Sequence, residues 1–367
     1  EKKLKIVTVV GARPQFIKAA MVSKELRKNY DEVMIHTGQH FDYNMSEVFF
    51  EEMNIPYPDY NLGISGGTHG EMTGKMLIEI EKILIKEQPD MVLLYGDTNS
   101  TLAGALSAVK LHIPICHVEA GNRLGTLDNP EEVNRIMTDH SSKVLCCCTE
   151  SALDFLKKEG LEDRATLVGD PMYDAFLQYS KQVGDKIPEK MIDLDGEEVD
   201  LPESFYYLTC HRAENTASIK PLSEILAAME ELDEKCIYPV HPRNQKMVQE
   251  LSKKHNYTNI IFCKPVGYMM SVYLVNHAKK IVTDSGGLQR EAYFARKQCV
   301  TIFDHIVWPE TMTEKRNQLS KPNKDEILKL LNEKVDFENY DYPFGDGHSS
   351  RKIIECIKNY FNQSEEN

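Results

Sequence analysis

The chain has 367 residues, of which 41% are hydrophobic and 27% charged, and its formal net charge is −14. That length suits two domains of roughly 150–200 residues better than one, and the composition is that of an ordinary core-forming protein. The acidic balance argues against nucleic acid as the main partner, since phosphate backbones recruit clustered Lys and Arg, and no apolar run approaches the ~20 residues of a membrane span.

Residues 4–10 are apolar and β-branched. They are too few for a signal-peptide core followed by a cleavage site and read as a buried first strand. A helix is expected over 14–28, a strand over 33–36, and then a helix with Met72, Met76, Ile80, Ile83 and Leu84 on one face. Pro89-Asp90 ends it. Strands are expected at 91–95, 114–118 and 144–148, with helices at 101–111 and 151–158. The stretch 185–202 is acidic, poorly periodic and carries Pro188 and Pro202, so it reads as the end of an inter-domain connection. The pattern then restarts, with strands at 205–210, 235–240, 260–263, 280–283 and 299–303 and helices at 219–232, 269–277 and 288–295. A last helix, 349–361, has no strand after it and must dock on something already made.

Apolar runs without alternation suit parallel sheets covered on both faces, and strand–helix repetition implies right-handed crossovers. The expected fold is therefore α/β, two Rossmann-like domains with parallel sheets over residues 1–170 and 171–367. The last helix is free to pack back on the N-terminal domain. The nine cysteines include Cys146, Cys147 and Cys148 in a row, but no CxxC and no CxH spacing. They read as buried reduced thiols rather than metal ligands, which implies a reducing, cytoplasmic compartment.

Open parallel sheets bind ligands beyond the carboxyl ends of their strands. In this chain those ends carry Gly11-Ala-Arg-Pro-Gln-Phe-Ile-Lys18, Gly96-Asp97-Thr98-Asn99, His117-Val-Glu119-Ala-Gly121, Cys210-His211-Arg212, His241-Pro-Arg243-Asn244 and Asp284-Ser285-Gly286-Gly287. Such repetition in both halves suggests an active site in a lined cleft between the domains. Asp284-Ser-Gly-Gly287 opens into a helix, where glycines and free amides favour an anion such as a diphosphate. Asp284 or Ser285 acting only as a helix cap is the other reading. Arg13 and Lys18 add positive charge near the Gly11 turn. Neither segment is GxGxxG or GxxxxGK[ST], so no ordinary NAD or Walker-type site is expected.

The stretch 117–135 gathers Glu119, Arg123, Asp128, Glu131, Glu132 and Arg135. It is either a solvated face or a carboxylate group aimed at the same mouth as Asp97, where shielding splits pKa values into an acid and a base. His211 and His241 each end a strand, as site groups or as hydrogen-bonded core histidines. There is no HExxH and no other recognisable metal spacing.

Gly11-Ala-Arg-Pro-Gln-Phe-Ile-Lys18, Gly96-Asp-Thr98, His117-Val-Glu-Ala-Gly121, Pro130-Glu-Glu-Val-Asn-Arg135, Cys210-His-Arg212, Asp284-Ser-Gly-Gly287 and Gly345-Asp-Gly347 occur in order. Together they resemble the non-hydrolysing UDP-N-acetylglucosamine 2-epimerases, from residue 4 to about residue 357. The resemblance implies a GT-B architecture and interconversion of UDP-GlcNAc and UDP-ManNAc, supplying cell-surface polysaccharide synthesis, without NAD or an obligatory metal. The implied reaction is elimination of UDP across C1–C2 to a glycal-like intermediate and re-addition after protonation from the other face. Carried over by motif, Asp97, Glu119, Glu131 and His211 are the catalytic group. Arg13, Lys18, Arg123, Arg135, Arg212, His241, Ser285, Gly286, Gly287 and Glu291 are the substrate-binding set, with Glu291 accepting from the ribose hydroxyls. A cytoplasmic homodimer is implied as well.

Trp308-Pro309-Glu310 replaces the family's usual Arg-Pro-Glu, and Gly121-Asn122-Arg123 its Gly-Leu-Arg. The stretch His36-Thr-Gly-Gln-His-Phe-Asp42, with Gly66-Gly-Thr-His-Gly70, looks more like the subfamily acting on UDP-2,3-diacetamido-2,3-dideoxyglucuronic acid. Gln39, His40 and His69 correspond to the region where some bacterial members bind a second, activating UDP-GlcNAc. The competing classes are a GT-B glycosyltransferase, which gives the carboxylates no purpose, and a hydrolysing epimerase, which carries Arg-Ala-Asp where this chain has Arg13-Pro14-Gln15. A non-catalytic nucleotide-sugar sensor would have no need of Asp97, Glu119, Glu131 and His211.

Overall fold

The computed structural model describes residues 2–38 and 47–367. By its internal contacts the chain divides into two compact units, Glu1–Ala175 with Tyr342–Asn367, and Phe176–Asp341.

In the first unit the strands are β1 (Lys5–Val10), β2 (Asp31–His36), β3 (Tyr60–Asn61), β4 (Met91–Tyr95), β5 (Ile115–Val118), β6 (Val144–Cys147) and β7 (Ala165–Leu167). They pair in parallel in the spatial order β3-β2-β1-β4-β5-β6-β7. Helices α1 (Arg13–Leu26), α2 (Glu47–Glu52), α3 (His69–Glu87), α4 (Asn99–Lys110), α5 (Pro130–Ser141) and α6 (Glu150–Lys158) alternate with them, and α7 (Pro171–Val183) follows β7 and runs on into the second unit from Phe176. Every residue of β4 is buried, as a central strand covered on both faces requires. The expected stripe on α3 packs Met76, Ile80, Ile83 and Leu84 against Val9, Val92 and Leu94 of the sheet.

In the second unit a short antiparallel hairpin, β8 (Met191–Ile192) with β9 (Glu198–Val199), occupies the stretch expected as a connection. Asp193 also forms a single bridge with Cys263. The main strands are β10 (Phe205–Thr209), β11 (Lys235–Pro239), β12 (Ile260–Cys263), β13 (Ile281–Thr283), β14 (Cys299–Ile302) and β15 (Asn317–Ser320). Their order is β12-β11-β10-β13-β14-β15, again parallel. Helices α8 (Ala213–Thr216), α9 (Ile219–Glu230), α10 (Gln245–Lys254), α11 (Tyr268–His277), α12 (Gly286–Phe294) and α13 (Lys324–Leu331) accompany them. Leu208, Val282 and Val300 of the sheet share a core with Leu222, Ile225 and Leu226 of α9.

The last helix, α14 (Ser349–Glu365), belongs to the first unit and lies on α1 and β6. Asp174 holds its first turn, accepting from the Ser349 and Ser350 amides at 3.0 and 2.9 Å and from the Ser350 hydroxyl at 3.0 Å. The chain reaches that helix by crossing Gly169 and Gly345. A Cβ on Gly169, at φ +84°, would meet the Phe344 carbonyl at 2.8 Å, so the Gly345-Asp-Gly347 motif serves a backbone crossing.

The fold is thus α/β with two parallel sheets, GT-B-like, and winding reverses between β1 and β4 in one sheet and between β10 and β13 in the other. Those reversals open a crevice at the carboxyl ends of the flanking strands. Among the described residues no helix is long and apolar enough to cross a membrane. Eight of the nine cysteines are buried thiols, and burial pushes Cys147, Cys263 and Cys299 up to about 12, which makes them poor nucleophiles.

His36, at the end of β2, stands edge-on to Phe16 at 4.8 Å, and burial lowers its pKa to about 4. Its Nε2 has no hydrogen-bond partner among the described residues. Below about pH 6.5 the unfolded chain takes up a proton here that the folded chain refuses, so stability falls as pH drops from 6.5 to about 4. His36→Phe is expected to remove on the order of 1–3 kcal/mol of that decline. Thermal unfolding at stepped pH measures it, and an unchanged slope would assign the decline to other groups.

Candidate functional site

At the β1–β4 reversal the two strand ends are tied by Gln15. Its Oε1 accepts from the Gly11 and Ala12 amides at 2.7 and 3.2 Å. Its Nε2 donates to the Tyr95 carbonyl at 2.8 Å and lies 3.1 and 3.2 Å from the Thr98 and Thr101 hydroxyls. Pro14 sits in the first turn of α1, as expected of a residue without an amide hydrogen. One turn later, Lys18 is buried and its Nζ pairs with Glu119 Oε2. The lysine expected on a phosphate is therefore held against a carboxylate of the candidate catalytic group. Arg13 lies over the Phe49 ring at 5.8 Å.

Glu119 follows β5 in the left-handed region, φ +71°, and its amide and that of Ala120 both donate to the Cys146 carbonyl. A non-glycine residue held there carries strain, which the surrounding contacts must offset. Its carboxylate comes close to the next strand end: a Cβ on Gly96 would stand 3.5 Å from Glu119 Oε2. Gly121, at φ +90°, has no room for a side chain, because a Cβ would meet the Ala152 carbonyl at 2.4 Å.

Asp97 is more open, with 37% of its side chain exposed. Arg135 on α5 orients it, donating from Nη2 and Nε to Oδ2 at 2.8 and 3.1 Å and from Nη1 to Glu132 at 3.2 Å. Burial works against the Arg135 charge, but Asp97 and Glu132 more than offset it and raise its pKa. Glu132 is buried and accepts from the Leu124 and Gly125 amides, both at 2.7 Å. Glu131, one residue earlier at the start of α5, is only partly buried, and Asp128 is exposed. Arg123, expected on the substrate, is buried between Asp139 at 2.8 Å and Glu159 at 2.8 and 3.1 Å. Asn134 donates to the Asp97 carbonyl at 2.9 Å and to Asn99 Oδ1 at 3.2 Å, and Asn99 in turn contacts His69 Nδ1 at 3.0 Å. Gln39 and His40 lie outside the described residues.

In the second unit Asp284 ends β13 and is buried. Its carboxylate accepts from the amides of His211 at 3.0 Å and Arg212 at 2.8 Å and from Asn215 Nδ2 at 3.1 Å. Arg212 returns a bond from Nε to the Asp284 carbonyl at 2.7 Å and lies 4.0 Å over the Phe303 ring. The His211 side chain is left 48% exposed. His241 is exposed and accepts from the Arg243 amide at 3.1 Å.

Ser285, not Asp284, caps α12, accepting from the Leu288 amide at 3.2 Å. Gly286 and Gly287 form the first turn, where amides lack partners within the helix. Glu291, expected at a ribose, is buried and accepts from the Tyr268 hydroxyl at 2.8 Å. Beside this turn the Arg290 guanidinium lies 4.1 Å over the Trp308 ring and donates to the Gly286 carbonyl at 3.2 Å. Among the described residues no cluster of His, Cys, Asp and Glu has the grouping to hold a metal ion.

The sequence model described as UDP-N-acetylglucosamine 2-epimerase matches residues 24–358. The chain belongs to this family. It is 49% identical to a UDP-N-acetylglucosamine 2-epimerase homolog of Methanococcus maripaludis, over 97% of this chain and 100% of that one. It is 43% identical to the UDP-2,3-diacetamido-2,3-dideoxy-D-glucuronate 2-epimerase of Pseudomonas aeruginosa, over 96% and 99%. The crystal structure of the Methanocaldococcus jannaschii UDP-GlcNAc 2-epimerase in complex with UDP-GlcNAc and UDP superposes with a TM-score of 0.85 at 39% identity, covering 97% of this chain and 99% of that one. The chain is thus a nucleotide-sugar 2-epimerase by family, and the two named substrates among its relatives leave the sugar to be assigned.

Sequence reasoning placed the strand-end motifs but missed the groups that brace them. Gln15 lay inside a quoted motif with no role, and Asp139 had no signal at all, because its partners are far away in sequence. Replacing Asp284 by Ala is expected to leave the His211 and Arg212 amides without their acceptor and to lower stability by about 3 kcal/mol. Urea unfolding measures this, and a loss under about 0.5 kcal/mol would mean the turn does not depend on the carboxylate.

Proposed function

We propose that this chain interconverts UDP-GlcNAc and UDP-ManNAc by eliminating UDP across C1–C2 and adding it back. The observation that carries the reading is the pair of unlike carboxylates at neighbouring strand ends. Glu119, its side chain 10% exposed, is paired with the buried Lys18, and Asp97 is more open and aligned by Arg135. Two carboxylates in different environments are what a reaction needs when one group removes a proton and another returns it. In the forward direction the C2–H bond breaks to a carboxylate, and the C1–oxygen bond breaks as UDP leaves with the electron pair. A proton then adds to the opposite face of C2, and UDP re-attacks C1. Glu131 completes the candidate carboxylate group, and His211 is the candidate outside it.

The diphosphate falls to the first turn of α12, where Ser285, Gly286 and Gly287 offer small residues and helix amides, with Arg212 as the nearby cation. The M. jannaschii relative, whose crystal structure holds UDP-GlcNAc and UDP, supports the choice of nucleotide sugar. A second reading keeps the chemistry and changes the sugar to the 2,3-diacetamido-uronate. The 43% identity to the P. aeruginosa enzyme favours it.

Incubation with UDP-GlcNAc in D2O, followed by proton NMR, is expected to give UDP-ManNAc with deuterium at C2. No turnover of UDP-GlcNAc together with turnover of the uronate would move the assignment to the second reading. Release of free sugar would instead make the enzyme a hydrolase. Glu119→Gln is expected to slow the exchange by about 100- to 10,000-fold, and a variant that exchanged at the normal rate would remove Glu119 from the acid/base group.

A further inference from the structure

Between the two candidate carboxylates, and using neither, lies a fully buried histidine. His117, on β5, is 0% exposed. Its Nε2 is 2.7 Å from the Gly96 carbonyl and its Nδ1 2.6 Å from Asp139 Oδ1. A carbonyl oxygen only accepts, so Nε2 carries a hydrogen. Asp139 also receives the Gly121 amide at 3.0 Å and Arg123 Nη1 at 2.8 Å on Oδ2. A buried carboxylate facing a guanidinium, an amide hydrogen and an imidazole is the ionised form. Burial by itself would raise the Asp139 pKa, but His117 and Arg123 hold it below the usual range. Nδ1 therefore carries a hydrogen too, and the ring is an imidazolium donating in both directions. Arg123 is balanced in turn by Glu159, so the buried row alternates in sign.

Gly96, at φ +70°, immediately precedes Asp97, and Gly121, at φ +90°, comes two residues after Glu119. The Gly96 amide donates to the Val118 carbonyl at 3.0 Å, next to Glu119. We propose that His117 is a positioning residue: hydrogen-bonded at both ring nitrogens, it ties, through Asp139, the Gly96 carbonyl to the Gly121 amide and so fixes the spacing of Asp97 and Glu119. This rests on the proton-transfer role assigned to those carboxylates above. A neutral side chain donates to the Gly96 carbonyl but leaves the Asp139 charge less compensated, so the turn at Gly121 loosens. Displacing a reacting group by about 1 Å costs on the order of 100-fold in rate.

Two measurements test it. In the unaltered protein with 15N-labelled histidine, both ring nitrogens of His117 are expected to carry a hydrogen, one donated to the Gly96 carbonyl and one to Asp139. A ring nitrogen of His117 without a hydrogen overturns the proposal, and this arm needs no variant to fold. His117→Gln and Asp139→Asn are each expected to lower kcat for C2 deuterium exchange about 100-fold. KM and UDP affinity by calorimetry should stay within about twofold, because in this reading UDP is held by α12. Variants that exchange at the normal rate, or that lose rate only through KM, overturn it. Absence of exchange by the unaltered protein would instead sink the reaction assigned above, and this inference with it.

Discussion

Gln15 reaches from the amides of Gly11 and Ala12 to the carbonyl of Tyr95. That bridge answers the constraint on which both halves of this chain depend. A parallel strand that stops leaves its last amides and carbonyls without ladder partners, and buried groups of that kind cost about 1–3 kcal/mol each if left unmet. At the strand ends here, side chains from elsewhere in the unit meet them. Gln15 does so for β1 and β4, Glu132 for the loop at Leu124 and Gly125, and Asp284 for the turn after β10. The same carboxyl ends are where a doubly wound sheet binds its ligand. The polar side chains that satisfy the backbone are therefore also the frame of the candidate site.

The charges obey a second constraint that follows from the first. A chain with net charge −14 concentrates Lys18, Arg123 and Arg135 within buried surroundings in its first unit. Each faces a carboxylate: Lys18 faces Glu119, Arg123 faces Asp139 and Glu159, and Arg135 faces Asp97 and Glu132. Burying such pairs is expensive, and apolar residues of similar size would often be as stable. Their use is geometric. Arg135 sets the direction of Asp97, and Lys18 that of the Glu119 carboxylate, while the Glu119 and Ala120 amides on the Cys146 carbonyl hold the left-handed backbone there.

Much of the fold could be read directly. Runs such as Met-Val-Leu-Leu-Tyr in β4 are continuous and apolar because both faces are covered, and the stripe on α3 has the helical period. The strands that escaped were short, polar or at the edge: β3 is Tyr60–Asn61, β7 is Ala165–Leu167 and β15 is Asn317–Ser320. In β15, Asn317 is buried yet polar, because it accepts from Thr301 at 2.6 Å and donates to Gln289 at 3.1 Å. Such a residue carries no hydrophobic signal. The hairpin of β8 and β9 was invisible for a related reason, being only two residues on each side and held partly by a bridge to Cys263.

By itself the sequence determined the α/β class, the strand-end motifs and the family, since these depend on local periodicity and on short runs in a fixed order. It also placed Ser285 at the start of a helix, where capping is a local property. Only the tertiary structure decided which partner each charge takes. Lys18 and Glu119 are 101 residues apart, His117 and Asp139 22, and Asp284 and His211 73. Whether Lys18 meets a phosphate or a carboxylate, and whether Arg123 faces outward or lies between two acids, is set by the packing of separate elements. A buried charge takes the partner the fold brings within reach, and that choice leaves no mark on its neighbours in the chain.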